Sequence, residues 1–327
     1  MDLTERPRRL RSDGIRELVS ETVLRPADLV APVFVDATAE EATEISSLPG
    51  YDRHPIDSVG EHVTALQESG VRAIILFGIP SSKDETGSTA FAEDGVIQRA
   101  LRTIDDDVDD DLTVITDVCL CEYTSHGHCG VLEAEGGSLT VDNDPSVELL
   151  AQIAISHARA GADVVAPSAS LDGMVAGIRE RLDSGGYEEV PILSYAVKYH
   201  SGFYGPFRDA ADGAPAFGDR RHYQQNPANR REARLEAQLD IEQGADMIMV
   251  KPAMPYLDII SLIRDSVDVP VAAYQVSGEY AMLHAAAERG WLDLESVAIE
   301  SLLGIKRAGA TPIISYLTPY LLERELI

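Results

Sequence analysis

The sequence predicts an α/β protein, a single (β/α)8 TIM barrel preceded by an extended N-terminal arm. Three observations carry that reading. Eight short runs rich in β-branched residues recur along the 327 residues, segments with apolar residues at helical spacing lie between them, and no Gly-rich phosphate turn follows the first run. Eight β-α alternations suit a parallel sheet closed on itself, whereas an open doubly wound sheet usually shows such a turn after its first strand.

In chain order the strands are expected at 29–35 (LVAPVFV), 71–77 (VRAIILF), 112–118 (LTVITDV) and 162–167 (ADVVAP). Four more follow at 190–197 (VPILSYAV), 245–250 (ADMIMV), 269–276 (VPVAAYQV) and 311–316 (TPIISY). Stretches such as 145–160 and 229–243 carry the 3.6-residue period of the covering helices. Residues 1–28 hold too little apolar content for a domain, and with Arg6-Pro7-Arg8-Arg9-Leu10-Arg11 they read as a basic arm for subunit contacts. The barrel then spans 29–327 as one catalytic domain. Within it, 199–228 is long, aromatic and rich in Gly and Pro without a clear period, as active-site lids commonly are. The acidic run from Asp105 to Asp111, broken by Val108, is a solvated helix end or loop.

Composition narrows the function classes. No apolar run approaches the roughly 20 residues that cross a bilayer, and the basic start is not followed by the apolar stretch of a signal peptide. A cytoplasmic, water-soluble protein is expected. Acidic residues outnumber basic ones 55 to 27, a formal charge of −28, which disfavours nucleic acid and anionic membranes as partners. Only four of the basic residues are lysines (Lys83, Lys198, Lys251, Lys306), a balance that suits a high-salt cytoplasm.

Polar residues collect at the C-terminal ends of the expected strands: Asp117, Ser168, Lys198, Lys251, Ser277 and Tyr316. That rim is where barrels of this kind hold their active sites. Lys198 and Lys251 end neighbouring strands, where repulsion and burial both lower a lysine pKa and favour the neutral amine that imine formation needs. A lone lysine there would more simply snorkel to solvent. All three cysteines fall within Asp117–Gly130 (DVCLCEYTSHGHCG). In extended backbone Cys119 and Cys121 would face the same side, and with Cys129 they would leave a zinc ion one open position; a closed site using His126 or His128 is the alternative. In the lid, Arg208, Arg220, Arg221 and Gln224 offer guanidinium forks and an amide for a carboxylate, or ordinary surface pairing with nearby acids.

The stretches DVCLCEYTSHGHCG, SYAVKYHSGFYGPFRDA, ADMIMVKPAMPYLDII and QVSGEYAML resemble the signature segments of the 5-aminolevulinate dehydratases, and the likeness runs from RPRRLR to SYLTPYLL. The excess of acids likens the chain to haloarchaeal, acidic members. The resemblance implies two 5-aminolevulinate molecules condensed through lysine Schiff bases without an organic cofactor. Lys251 would take the propionate-side substrate and Lys198 the acetate-side one. Ser277 and Tyr316 would bind the first carboxylate, and Arg208, Arg220 and Gln224 the second. Asp117 and Ser168, with Tyr195 and Tyr204, would position amines and move protons. Cys119, Cys121 and Cys129 match the zinc version of the motif, and Glu236 resembles an interface magnesium position, although an exposed helical glutamate is the plainer reading. Relatives of this kind assemble as homo-octamers whose arms wrap neighbours. Glu122 and the surplus acids depart from the pattern and are expected to lie away from the ligands and lysines. A class I Schiff-base aldolase and a zinc-stabilised barrel without catalysis remain as alternatives.

Overall fold

The computed structural model describes residues 5–108, 111–135 and 138–327. Asp109 and Asp110 of the acidic run lie outside the described residues; Asp105–Asp107 end the helix Val96–Asp107 and are exposed, as expected of a solvated helix end. The eight barrel strands are β1 (Leu29–Asp36), β2 (Ala73–Ile79), β3 (Thr113–Val118), β4 (Val164–Pro167), β5 (Leu193–Lys198), β6 (Met247–Lys251), β7 (Val271–Gln275) and β8 (Ile313–Ser315). Each pairs in parallel with the next, and β8 returns to β1 through Leu29–Ile313. A parallel bridge between Val165 and Ile192 joins β4 to β5 and closes the ring. The TIM barrel is therefore present.

Seven of the strands begin one to three residues later than the β-branched runs suggest, and helix caps account for four of these shifts. The preceding helices end on Gly70, Gly161, Gly244 and Gly309, with φ between +104° and +117°. Glycine enters this left-handed region without the clash a Cβ would bring. The next residue then donates its N–H back into the last helical turn: Val71 to Leu66, Ala162 to His157, Ala245 to Asp240 and Ala310 to Ile305. These apolar residues look like strand starts but belong to the caps.

The helices Asn143–Ala160 and Arg231–Glu242 match the periodic stretches. In the arm, Pro7–Leu10 and Asp13–Leu18 form short helical turns, and Leu18 (83% exposed) and Val23 (61% exposed) have no cover from this chain. The segment 199–228 is pinned where it leaves the barrel: His200 N–H donates to Gln225 O and Gln225 N–H to Lys198 O. Between these ties lie a 3-10 turn (Gly202–Tyr204) and a short helix (Gly205–Ala210). Lys83 holds the carboxylate of Asp212 at 2.7 Å, and Arg53, in the short strand Asp52–Pro55, donates to the Asp209 carbonyl, so two segments of the barrel grip residues 199–228 from outside.

Candidate active site

Lys198 and Lys251 are the last residues of β5 and β6, and the sheet register sets them directly opposite each other. Each is only 6% exposed. The Lys251 Nζ stands 4.3 Å from the Tyr274 ring centre, 4.9 Å from Tyr195, 5.3 Å from Phe207 and 5.5 Å from Tyr204. Such a cage keeps bulk water out. Burial, and then the charge of Lys198, lower the Lys251 pKa to about 7, which leaves a large neutral fraction near neutrality. The Lys198 amine donates to the Ser168 carbonyl and lies 5.6 Å from the Tyr195 ring centre. Asp117 accepts a hydrogen bond of 3.1 Å from the Ser168 hydroxyl, and burial together with Glu122 pushes its carboxyl up to about 7 against the pull of both lysines.

The cysteine segment departs from the expected geometry but reaches the same result. β3 ends at Val118, and the chain then turns, with Tyr123 and Thr124 N–H groups both donating to Leu120 O. The turn, not strand alternation, brings Cys119 Sγ within 3.3 Å of Cys121 Sγ. All three cysteines are buried and unbridged, and their sulfur atoms lie within 4.8 Å of one another. Hydrogen bonds from Cys119 and Cys121, and the charge of Arg220, hold the Cys129 thiol well below its ordinary range while the other two are pushed up. One thiolate shared among three buried sulfurs is a donor set that fits a thiophilic divalent cation. The histidines of the motif are engaged elsewhere. His126 contacts Glu85 O and accepts from His128 N–H, while the His128 ring meets Phe217 O and the Tyr223 hydroxyl. Among the described residues, the clusters able to hold a metal contain no histidine, so the closed site with His126 or His128 is not formed.

Residues of the 199–228 segment complete one wall. Arg208, Arg220, Gln224 and Tyr204 line a cavity with Asp117, Cys121, Ser168 and both lysines. Arg220 donates to Gly127 O and Gly213 O, yet its Nε, the Arg208 Nε and both polar atoms of Gln224 have no hydrogen-bond partner. Buried donors left this way await an acceptor. Arg221 differs: its side chain is 74% exposed and pairs with Asp219, so it is the surface arginine of the group. The cavity measures about 20 Å³, room for roughly one water. Phe207 lines it as well, and its N–H donates to the Ser277 hydroxyl at 2.9 Å. Ser277 and Tyr316 are fully buried behind it, and the Tyr316 hydroxyl is paired with that of Tyr274 at 3.1 Å, so this conformation does not bring them to the cavity wall.

The family model for delta-aminolevulinic acid dehydratase matches residues 4–324. The chain belongs to the delta-aminolevulinic acid dehydratase family. It is 50% identical over 319 residues to the delta-aminolevulinic acid dehydratase of Archaeoglobus fulgidus, covering 98% of this chain and 97% of that one. It is 51% identical to the Halalkalibacterium halodurans enzyme of the same name, covering 96% and 95%. It also superimposes with a TM-score of 0.95 and 40% identity on Toxoplasma gondii delta-aminolevulinic acid dehydratase (porphobilinogen synthase), solved with the reaction product porphobilinogen and covering 98% and 92%. Membership of the delta-aminolevulinic acid dehydratase family makes the chain an enzyme, a lyase.

Two expectations need correction. Glu122 does not lie away from the ligands and lysines; it is 3% exposed, lines the same cavity, and sits 3.2 Å from Cys121 Sγ. The tight turn after β3 swings it inward. Glu236 is half-buried, facing a neighbouring cavity of about 370 Å³ that also holds Asp172, Glu232, Asp240 and Lys198. Burial, then Asp240, push its carboxyl up to about 7. Sequence reasoning also missed Tyr274 and Phe207, although Tyr274 sits one residue before the end of β7, a rim position. Among the described residues no helix is long and apolar enough to cross a membrane.

Proposed function

We propose that this enzyme condenses two molecules of 5-aminolevulinate into porphobilinogen, releasing two waters, in tetrapyrrole synthesis. The observation that carries the reading is the pair of buried lysines set opposite each other on β5 and β6, one with its amine held near neutrality. A neutral Lys251 attacks the ketone of the propionate-side substrate, and the ring cage keeps the resulting imine from bulk water. Lys198, beside the Ser168 carbonyl, takes the acetate-side ketone. With its carboxyl pushed up to about 7, Asp117 can hold or release a proton at working pH, next to Ser168 and the unpartnered Tyr195 hydroxyl. Tyr204, whose hydroxyl donates to Tyr199 O, holds the lid's first turn against Lys251.

The substrate carboxylates find two receptors. Arg208, Arg220 and Gln224 bring their unpartnered polar atoms to the acetate side. Ser277 and Tyr316 serve the propionate side once Phe207 withdraws from the Ser277 hydroxyl, a lid movement that a cavity of about 20 Å³ demands. Cys119, Cys121 and Cys129 would hold zinc, which supplies Lewis-acid polarisation when bound. A magnesium ion would sit against Glu236, where clustered carboxyls favour a hard cation. The exposed apolar side chains of the arm fit packing on a neighbouring copy in a homo-octamer, and the acidic surface fits a salty cytoplasm.

Porphobilinogen formation from 5-aminolevulinate at high salt, with chelator and then added zinc, tests the reading. Product that vanishes with chelation and returns with zinc is expected. No product with any metal would overturn it. Borohydride trapping with 5-aminolevulinate should add substrate mass on Lys251, and a catalytically silent barrel would gain none.

A further inference from the structure

Of the four lysines, two face each other on the rim and Lys306 holds Asp28 at the end of the arm. Lys83 reaches instead into the segment 199–228. It stands on a fixed base in the loop after β2. The N–H of the next residue, Asp84, donates to Tyr123 O, and Ser125 N–H donates back to Asp84 O, so the loop is tied in both directions to the turn that carries the cysteines. From there the Lys83 ammonium donates to the Asp212 carbonyl and, at 2.7 Å, to the Asp212 carboxylate. An ion pair whose acid is 67% exposed adds little to global stability. What two contacts to one residue can do is fix a local conformation, and Asp212 has one to fix. Its φ is +48°, in the left-handed region where residues with a Cβ are uncommon.

The peptide that Lys83 holds leads to both arginines of the cavity. The Asp212 carbonyl and the Gly213 N–H belong to one planar unit and point in opposite directions. With the carbonyl held by Lys83, the Gly213 N–H donates to Arg208 O at 3.3 Å. The Gly213 carbonyl then accepts from the Arg220 guanidinium at 2.7 Å. One residue therefore touches Arg208 and Arg220 together, and the Nε atoms of these two are the unpartnered guanidinium donors of the cavity. A rotation of the Asp212–Gly213 peptide would break the tie to Arg208 and swing the acceptor away from Arg220. Shifts of about 1 Å in groups that position a substrate are costly even when the chemistry is untouched.

We propose that Lys83 is a positioning residue for the acetate-side carboxylate: by fixing the Asp212–Gly213 peptide it sets where Arg208 and Arg220 stand. The proposal rests on the reading of those arginines as the receptor for that carboxylate. Lys83 touches neither Lys251 nor Ser277, so its influence falls on one of the two substrate molecules and leaves the other alone.

The test uses the full-length protein as wild type, Lys83→Met, Lys83→Arg, Arg220→Gln and the Lys83→Met/Arg220→Gln double variant. Porphobilinogen formation gives KM and kcat, and the rate of borohydride trapping of 5-aminolevulinate on Lys251 reports the propionate-side substrate alone. Lys83→Met should raise KM by about 5- to 10-fold, the worth of one displaced hydrogen bond, with trapping on Lys251 unchanged. Its melting temperature should stay within about 3 °C of the wild type. Lys83→Arg, whose guanidinium can reach both acceptors, should bring KM back to within about twofold. The double variant should be no worse than Arg220→Gln, because both changes act through one group. An unchanged KM in Lys83→Met overturns the proposal. So does a fall in trapping and melting temperature alongside the rise in KM, which would make Lys83 a general structural support, and so does full additivity in the double variant. If Arg220→Gln leaves KM unaltered, the carboxylate receptor falls and the role of Lys83 with it; a wild type that makes no porphobilinogen removes the proposed function itself.

Discussion

The two halves of the barrel's C-terminal rim are built on opposite plans. Around β7 and β8 most polar side chains have partners. Gln275 donates to Ser301 Oγ at 2.9 Å and accepts from Ser315 at 2.6 Å, and buried Glu279 accepts the backbone N–H groups of Val276, Ala253 and Met254. Around β3 to β6 and the lid, buried polar atoms of Glu122, Tyr195, Arg208, Arg220 and Gln224 have none. Buried polar groups in folded proteins are nearly always paired, so a run of orphans marks the half that meets a ligand, while the satisfied half is the frame that holds it. Ser277 and Tyr316 stand at the border: their hydroxyls are taken by Phe207 and Tyr274, partners a ligand can displace.

The largest effect that sharpens this contrast is expected at Lys251. Lys251→Met should leave the aromatic cage filled and the melting temperature near that of the wild type, while porphobilinogen formation falls on the order of 10⁴-fold. A variant keeping more than a hundredth of the activity would break the two-lysine scheme. In the frame, Glu279→Gln should lower stability by about 2 kcal/mol in a denaturant titration, because one of the two oxygens that accept backbone N–H groups becomes an amide donor and leaves those groups unpaired. The activity of the folded fraction should change only a few-fold. Catalytic loss without loss of stability would erase the distinction between the halves.

On the orphan side, Arg220→Gln should raise KM for 5-aminolevulinate by about 10- to 100-fold, the worth of one charge-assisted contact to a carboxylate. Exposed Arg221→Gln should stay within about twofold. Equal effects from the two would mean that the lid cavity does not receive a carboxylate. The smallest effect concerns pH. Lys251 is lowered to about 7, so its neutral fraction is nearly constant above that pH and falls about tenfold for each unit below it. The initial rate of borohydride trapping at pH 6 should therefore be roughly a tenth of its alkaline plateau. A rate still climbing steeply from pH 8 to 10 would show an ordinary exposed lysine instead.

What the sequence determined by itself follows from periodicity and position. Alternating β-branched runs and helical stretches dictate a closed parallel barrel, and a residue at the end of a strand lands on the C-terminal rim wherever that strand sits in the ring. Lys198, Lys251, Asp117 and Ser168 were legible for that reason, and the cysteines because three sulfurs within eleven residues have few other uses. Alternation stops being a guide where a strand stops. The turn after Val118 put Glu122 inside, against the outward placement read from the sequence, and the same turn joined Cys119 to Cys121. Only the tertiary structure decided which polar atoms are paired and which are left over. Ser277 meets Phe207 across 70 residues of chain, and Arg220 meets Gly127 across 93. Pairings over such separations depend on distances set by the whole packed barrel, and no local pattern encodes them.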